Sequence, residues 1–253
     1  MKTKHILTSI IAILGITTTS HALTLSGGSA TIDYDKAAWD VLAAGFGAGP
    51  NILTLDEFFD LAAVNARTSS QILNDEVQLF PSYTGQVYPM NGTSVSNLAG
   101  RTNQPTTFDF TTGNLTSHTG SIGLGGISQF EVSPLVGGGH LVYGDFTLLF
   151  DSARTGVGGT GWYLKGNITP AGAAFDILNV SVIETPTSIT ISGDLGVSYE
   201  VANFLYSTPA DTGRDVGNFS FTGTVVPEPS SSVLLLSALA GVAGLRRRKN
   251  SRE

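Results

Sequence analysis

The sequence predicts a mainly β protein: an antiparallel β-sandwich or jelly roll with one to three short N-terminal helices and a hydrophobic C-terminal helix. Three observations lead there. Past Arg101 apolar residues recur at alternate positions, the period of a strand with one buried face. Gly, Pro, Asn and Asp interrupt these runs at short intervals, as in domains built from hairpins. Glycine, at 31 of 253 residues, exceeds its usual share of roughly 7%. No helical period separates the strands, which excludes an alternating α/β plan.

The chain begins with Lys2 and Lys4, an apolar run over 6–16 and the small-residue site Ser20-His21-Ala22. This is the pattern of a secretory signal peptide covering 1–22, read by the Sec machinery and cut between Ala22 and Leu23. An exported β-rich domain then spans 23–222. Ala30-Thr31-Ile32-Asp33-Tyr34 alternates as a strand, and Asp35 is placed to cap a helix over 36–44 that Gly45 ends. Ala37, Trp39, Val41 and Leu42 would form its inner face. A second helix is expected over 56–66, where Phe58, Phe59, Leu61, Ala62 and Val64 supply apolar mass, and a weaker one over 70–75. Pro81, Tyr83, Gly85, Tyr88, Pro89, Asn91 and Gly92 make the next stretch a long turn-rich connection.

From Phe108 and Phe110 onward the period is two. Strands are expected over 127–132, over 145–151 with Phe146, Leu148 and Phe150 on one face, and over 162–168 and 174–182. Further strands follow over 188–191, 195–201 and 219–225. Asn179 breaks the phase between Ile177 and Val180, which predicts a bulge or a strand end. A linker is expected over 223–232.

Charge and composition restrict the partners. Of 13 Lys and Arg, two lie in the first 22 residues and five from residue 228 onward, against two of the 20 Asp and Glu. The body therefore holds six basic and 18 acidic side chains, a balance that argues against nucleic acid. There is no cysteine, so the fold rests on its core alone. Gly156-Val157-Gly158-Gly159-Thr160-Gly161 matches a dinucleotide fingerprint in spacing only, because a strand and not a helix follows it. His118 and His140 lack the helical spacing of a zinc pair. No cofactor is expected, with one alternative: a non-helical calcium site built from loop carboxylates such as Asp145, Asp151 or Asp194. Solvated turn residues are the plainer account of these three. Trp162 and Tyr163, or Tyr83 and Tyr88, are the candidate glycan contacts, set against the ordinary role of Trp in a core.

The tail combines three parts in order: Pro227-Glu228-Pro229, an apolar helix over 233–245, and Arg246-Arg247-Arg248-Lys249. The two prolines fix an extended, helix-incompatible peptide suited to an enzyme's cleft. The apolar segment falls short of the roughly 20 residues of a permanent span. The basic stop that follows holds a C-terminus on the cytoplasmic side. Together they resemble the PEP-CTERM sorting tail of bacterial exported proteins, over these final residues alone. The resemblance implies recognition of Pro227, Glu228 and Pro229 by an exosortase, a membrane transpeptidase-like enzyme. It also implies transient anchoring in the inner membrane, and a cell-surface or extracellular destination in a Gram-negative bacterium.

The expected function is that of a non-catalytic cell-surface or exopolysaccharide-matrix protein with no catalytic residues. The alternative is a secreted carbohydrate-binding protein or polysaccharide-acting enzyme.

Overall fold

A computed structural model describes residues 22–44, 53–59, 83–92, 103–111, 113–132, 140–155, 159–168, 171–206 and 209–227. Among the described residues every strand pairing is antiparallel. The strands are β1 (Ala22–Tyr34), β2 (Leu53–Phe59), β3 (Gln86–Pro89), β4 (Asp109–Thr111), β5 (Asn114–Thr119), β6 (Ile122–Gly123) and β7 (Ile127–Val132). There follow β8 (His140–Gly144), β9 (Thr147–Phe150), β10 (Trp162–Gly166), β11 (Gly172–Glu184), β12 (Ser188–Val197) and β13 (Asp215–Pro227). Among the described residues two α-helices, α1 (Lys36–Ala44) and α2 (Tyr199–Tyr206), sit beside them.

The larger sheet runs β5-β4-β1-β13-β12-β11-β10-β9-β6. β3 shares an edge of β1 with β4: it pairs with 29–32 while β4 pairs with 22–24. The sheet then curls until its edges meet. Met90, just past β3, bridges Leu124, just past β6. Asn91 N–H donates to the Gly123 carbonyl and Gly125 N–H to that of Pro89, both at 2.9 Å. Closure of this kind removes the exposed edges that an open sheet would present. A second sheet, β2-β7-β8, completes the fold.

The register explains the core. Ala30 and Ile32 lie opposite Phe221 and Phe219, and Phe221 opposite Ile191. Ile177 faces Leu195, and Leu164 lies between Phe175 and Leu148. All are buried, so one face of every long strand fills the interior. The outer face of the same strands is hydroxyl: Thr31, Ser220, Ser192 and Ser181 stand on one rung. This accommodates the many Thr, which pack well on a half-exposed pleat.

Two bulges keep the apolar residues inward. In β11 the register shifts between Leu178 and Ser181, where Asn179 takes a φ of 49°, as its phase break predicts. Its amide donates to Asp194 Oδ2 at 2.7 Å. In β1 the shift falls between Leu25 and Gly27, so Leu23 before it and Ala30 and Ile32 after it all turn inward.

The expected α1 forms where its cap predicts. Asp35 Oδ1 accepts from the Ala37 and Ala38 N–H groups at 2.9 and 3.2 Å. Trp39 is buried, edge-on to Tyr34 and Phe175 at 6.2 and 6.1 Å between ring centres.

Other expectations need correction. The helix expected over 56–66 begins instead as β2, because Leu53–Phe59 finds a ladder against β7, from Leu53 opposite Val132 to Phe59 opposite Ile127. Such long-range pairing overrides local helical preference; residues 60–66 and the helix expected over 70–75 lie outside the described residues. The strand expected over 195–201 stops at Val197. There Ser198 Oγ accepts from Val201 N–H at 3.1 Å and caps α2. The linker expected over 223–232 does not start at 223: β13 continues through Pro227, held by β1.

Phe221 is wholly buried in the centre of this ladder. Phe221→Ala is expected to destabilise the domain by about 3–5 kcal/mol. Denaturant unfolding should show a lower midpoint with an unchanged slope; a loss under about 1 kcal/mol would contradict this packing.

Candidate functional site

Three of the sequence-predicted processing residues, Ala22, Leu23 and Pro227, lie at one end of the barrel. β1 starts there and β13 ends there, with Leu23 opposite Pro227, Thr24 opposite Val226 and Leu25 opposite Val225. Ala22 pairs instead with Thr111 of β4. Ala22 and Leu23, where signal cleavage is expected, and the first residue of the Pro-Glu-Pro motif thus share a corner, although some 200 residues separate them in sequence. Thr24 Oγ1 donates to the Val226 carbonyl at 3.5 Å. The last residue of β13 that pairs with β12 is Thr224, opposite Ser188, and Val225 N–H then donates to the Thr187 carbonyl at 3.0 Å. Glu228, Pro229, the apolar segment over 233–245, Arg246, Arg247, Arg248 and Lys249 lie outside the described residues. Among the described residues no helix is long and apolar enough to cross a membrane.

Trp162 and Tyr163 do not form one platform. Neighbours on a strand point to opposite faces, and β10 turns Trp162 inward. It is 7% exposed, and its ring is stacked on His118 at 4.7 Å and met by Phe150 and Phe108 at 5.6 and 6.1 Å. Tyr163 points the other way and is covered by the Arg154 guanidinium, 4.7 Å from its ring centre. Of the other two candidates, Tyr88 is wholly buried, and Tyr83 is partly buried against the core.

Arg154 is a residue that sequence reading missed. Its Nε donates to Asp176 Oδ1 at 2.7 Å, while Nη1 and Nη2 donate to Glu200 Oε1 and Oε2 at 2.7 and 2.9 Å. One guanidinium so joins β11, α2 and the turn after β9. It holds the Glu200 carboxyl below the usual carboxylate range. Scarcity was the available signal: Arg154 is one of the body's few basic residues.

A second missed group lies between the two sheets. Ser128 Oγ of β7 donates to Gln86 Oε1 of β3 at 2.6 Å, and Tyr88 Oη donates to the same oxygen at 3.1 Å. Tyr88 also bonds Ser128, and Tyr34 Oη of β1 donates to Ser128 Oγ at 3.5 Å. All four residues are buried. Burial pushes the Tyr34 phenol up to about 12 and that of Tyr88 well above its ordinary value. Neutral hydroxyls bonded to one another suit a seam between sheets rather than proton transfer near neutrality.

The three carboxylates expected in loops have different settings: Asp194 lies within β12, Asp145 binds distant backbone, and Asp151 alone serves a local turn. Buried Asp145, at a φ of 42°, exchanges bonds with the Gly126 backbone. Asp151 accepts from Ala153 N–H at 2.8 Å, and Asp194 from Asn179 at 2.7 Å. Among the described residues no three His, Cys, Asp or Glu side chains are grouped to hold a metal ion.

Residues 225–249 match the family model of the PEP-CTERM protein-sorting motif. No curated protein matches the chain. Among solved structures, the C-terminal domain of HtaA from Corynebacterium glutamicum is similar to it at 13% identity with a TM-score of 0.42. That likeness covers 81% of this chain and 99% of the other. The C-terminal tail is therefore a PEP-CTERM sorting motif, which marks an exported chain sorted to the cell surface by exosortase.

The tyrosine seam predicts a pH limit. Phenols of raised folded-state pKa stabilise the fold fully below their ordinary value of 10, and that stability is lost as pH climbs towards about 12. Unfolding midpoints measured across this window should fall, and Tyr34→Phe should flatten the fall. An equal slope in that variant would remove Tyr34 from the effect.

Proposed function

We propose that this chain is a non-catalytic surface domain with two removable ends. The Sec machinery exports it in a Gram-negative bacterium, and signal peptidase cuts between Ala22 and Leu23. The segment over 233–245, stopped by Arg246, Arg247, Arg248 and Lys249, then holds it briefly in the inner membrane. Exosortase acts at Pro227, Glu228 and Pro229 and releases the barrel to the cell surface or the exopolysaccharide matrix. The observation that carries this reading is the sorting motif at 225–249, which begins within the barrel's last strand. A non-catalytic role is supported by what the conspicuous polar groups do: the tyrosine seam is sealed from solvent, and Arg154 is spent on two carboxylates.

Carbohydrate binding is the second reading. It draws support from the outward hydroxyl rung Thr31, Ser220, Ser192 and Ser181 and from exposed Tyr199, on a protein destined for a polysaccharide-rich surface. Retention on glycan arrays by the purified body would favour this reading over a purely structural role.

Replacing the motif's acid tests the main reading. Glu228→Ala should leave a membrane-retained form larger by the length of the tail on blots of fractionated cells. Unchanged size and unchanged release would refute exosortase recognition at this position.

A further inference from the structure

Residues 225–227 belong to two things at once. They are the first three positions matched by the sorting motif, and they are the last three rungs of the β1–β13 ladder. An enzyme cleft that takes a peptide as a single extended strand needs its backbone free of a neighbouring strand. Val226 and Pro227 cannot satisfy both demands together.

Several features set these rungs apart from the rest of the ladder. The β1 bulge between Leu25 and Gly27 interrupts the register immediately behind them. Glycines flank that break on both strands, Gly27 and Gly28 on β1 and Gly223 on β13. A Cβ on Gly28 would come within 2.5 Å of the Thr222 carbonyl oxygen, and one on Gly223 within 2.9 Å of Leu25. The strands therefore approach closely at the break, while Gly27 has open space around it. On its other side β13 pairs with β12 as far as Thr224, and Val225 N–H then bonds the Thr187 carbonyl at 3.0 Å, so Val226 and Pro227 lie past the end of the β12 ladder. Pro227 has no N–H to give the final rung. Against this, Val225 and Leu23 are 4% and 6% exposed, so apolar burial draws the rungs closed.

The geometry points to a latch on the sorting motif. In the folded domain the end of β13 is closed against β1; it peels back at the Gly223 break for exosortase to take the motif, and the rest of the barrel stays shut. The latch rests on the exosortase reading above. It also gives the domain an orientation: cleavage after Ala22 leaves the new amino terminus on Leu23, opposite Pro227. Both chain ends then leave the barrel on the side that faces the membrane.

The chain has no cysteine of its own, so a covalent lock tests this cleanly. Thr24 and Val226 are directly opposed and reach the surface. Opposed antiparallel residues lie about 4.5–5.5 Å apart, within the range a disulfide bridges. The full chain, Thr24→Cys, Val226→Cys and the double variant would be expressed in an exporting cell that carries an exosortase. Non-reducing gels report the cross-link, and blots report the ratio of tail-bearing to processed forms. The oxidised double variant should be processed roughly tenfold more slowly or worse, because local opening is blocked; reductant should restore it, and both single variants should match the wild type. Wild-type processing rates in the cross-linked form would overturn the latch and leave exosortase recognition standing. A folded double variant that fails to cross-link would overturn the pairing itself. A wild-type chain that is never processed would sink the exosortase reading, and the latch with it.

Discussion

Everything in this fold hangs on the ladder between β1 and β13. Each strand is 13 residues long, and they pair from Leu23 opposite Pro227 to Tyr34 opposite Gly217. They come from the two ends of the body, so their pairing closes a loop of nearly the whole domain. Loop closure on that scale carries a large entropy cost and is slow to achieve. Yet β3 and β4 attach to one side of the pair and β12 to the other. The larger sheet therefore lacks a strand bonded on both sides, to β1 and to β12, until β13 is in place, so completion of the fold waits on the C-terminal end of the body.

With no disulfide available, the barrel relies on aromatic filling. Phe175 meets Tyr34, Trp39 and Phe146, and Tyr34 meets Trp39, at 6.0–6.2 Å between ring centres in tilted or edge-on pairs. The small sheet is joined by a different means. Its Ser128 reaches into the larger sheet's Gln86, Tyr88 and Tyr34, a bonded set buried from water. Polar groups so placed stabilise only when satisfied together, which fixes one docking position for the sheet. Arg154 performs a similar joining task at the surface, where solvent screening makes the contact weaker and its value lies in position.

The address and the body are not separate modules laid end to end. The motif's first residues complete the sheet, and the sheet's last residues begin the motif. A processing enzyme in the membrane therefore meets a folded corner as well as a peptide. The same corner holds Leu23, opposite the motif's Pro227.

Local chemistry was legible in the sequence. Asp35 before Lys36–Ala44 announced α1, Asn179 announced a bulge by breaking an alternation, and the Pro-Glu-Pro tail announced export, because in each case the deciding contacts lie within a few residues. What depended on distant partners was not. Leu53–Phe59 carries enough apolar mass for a helix and becomes a strand only because β7 is there to pair with it. Residues 223–227 read as a linker, Gly- and Pro-marked, until β1 supplies the other half of the ladder. Arg154 finds Asp176 and Glu200 at separations of 22 and 46 residues. The sequence by itself determined the β class, the Asp35 cap and the C-terminal sorting motif, since these follow from side-chain period and backbone preference. Only the tertiary structure decided the closed barrel, the seam between sheets and the pairing of the motif's first residues with β1. Hydrogen bonds between strands carry no signature in either strand alone.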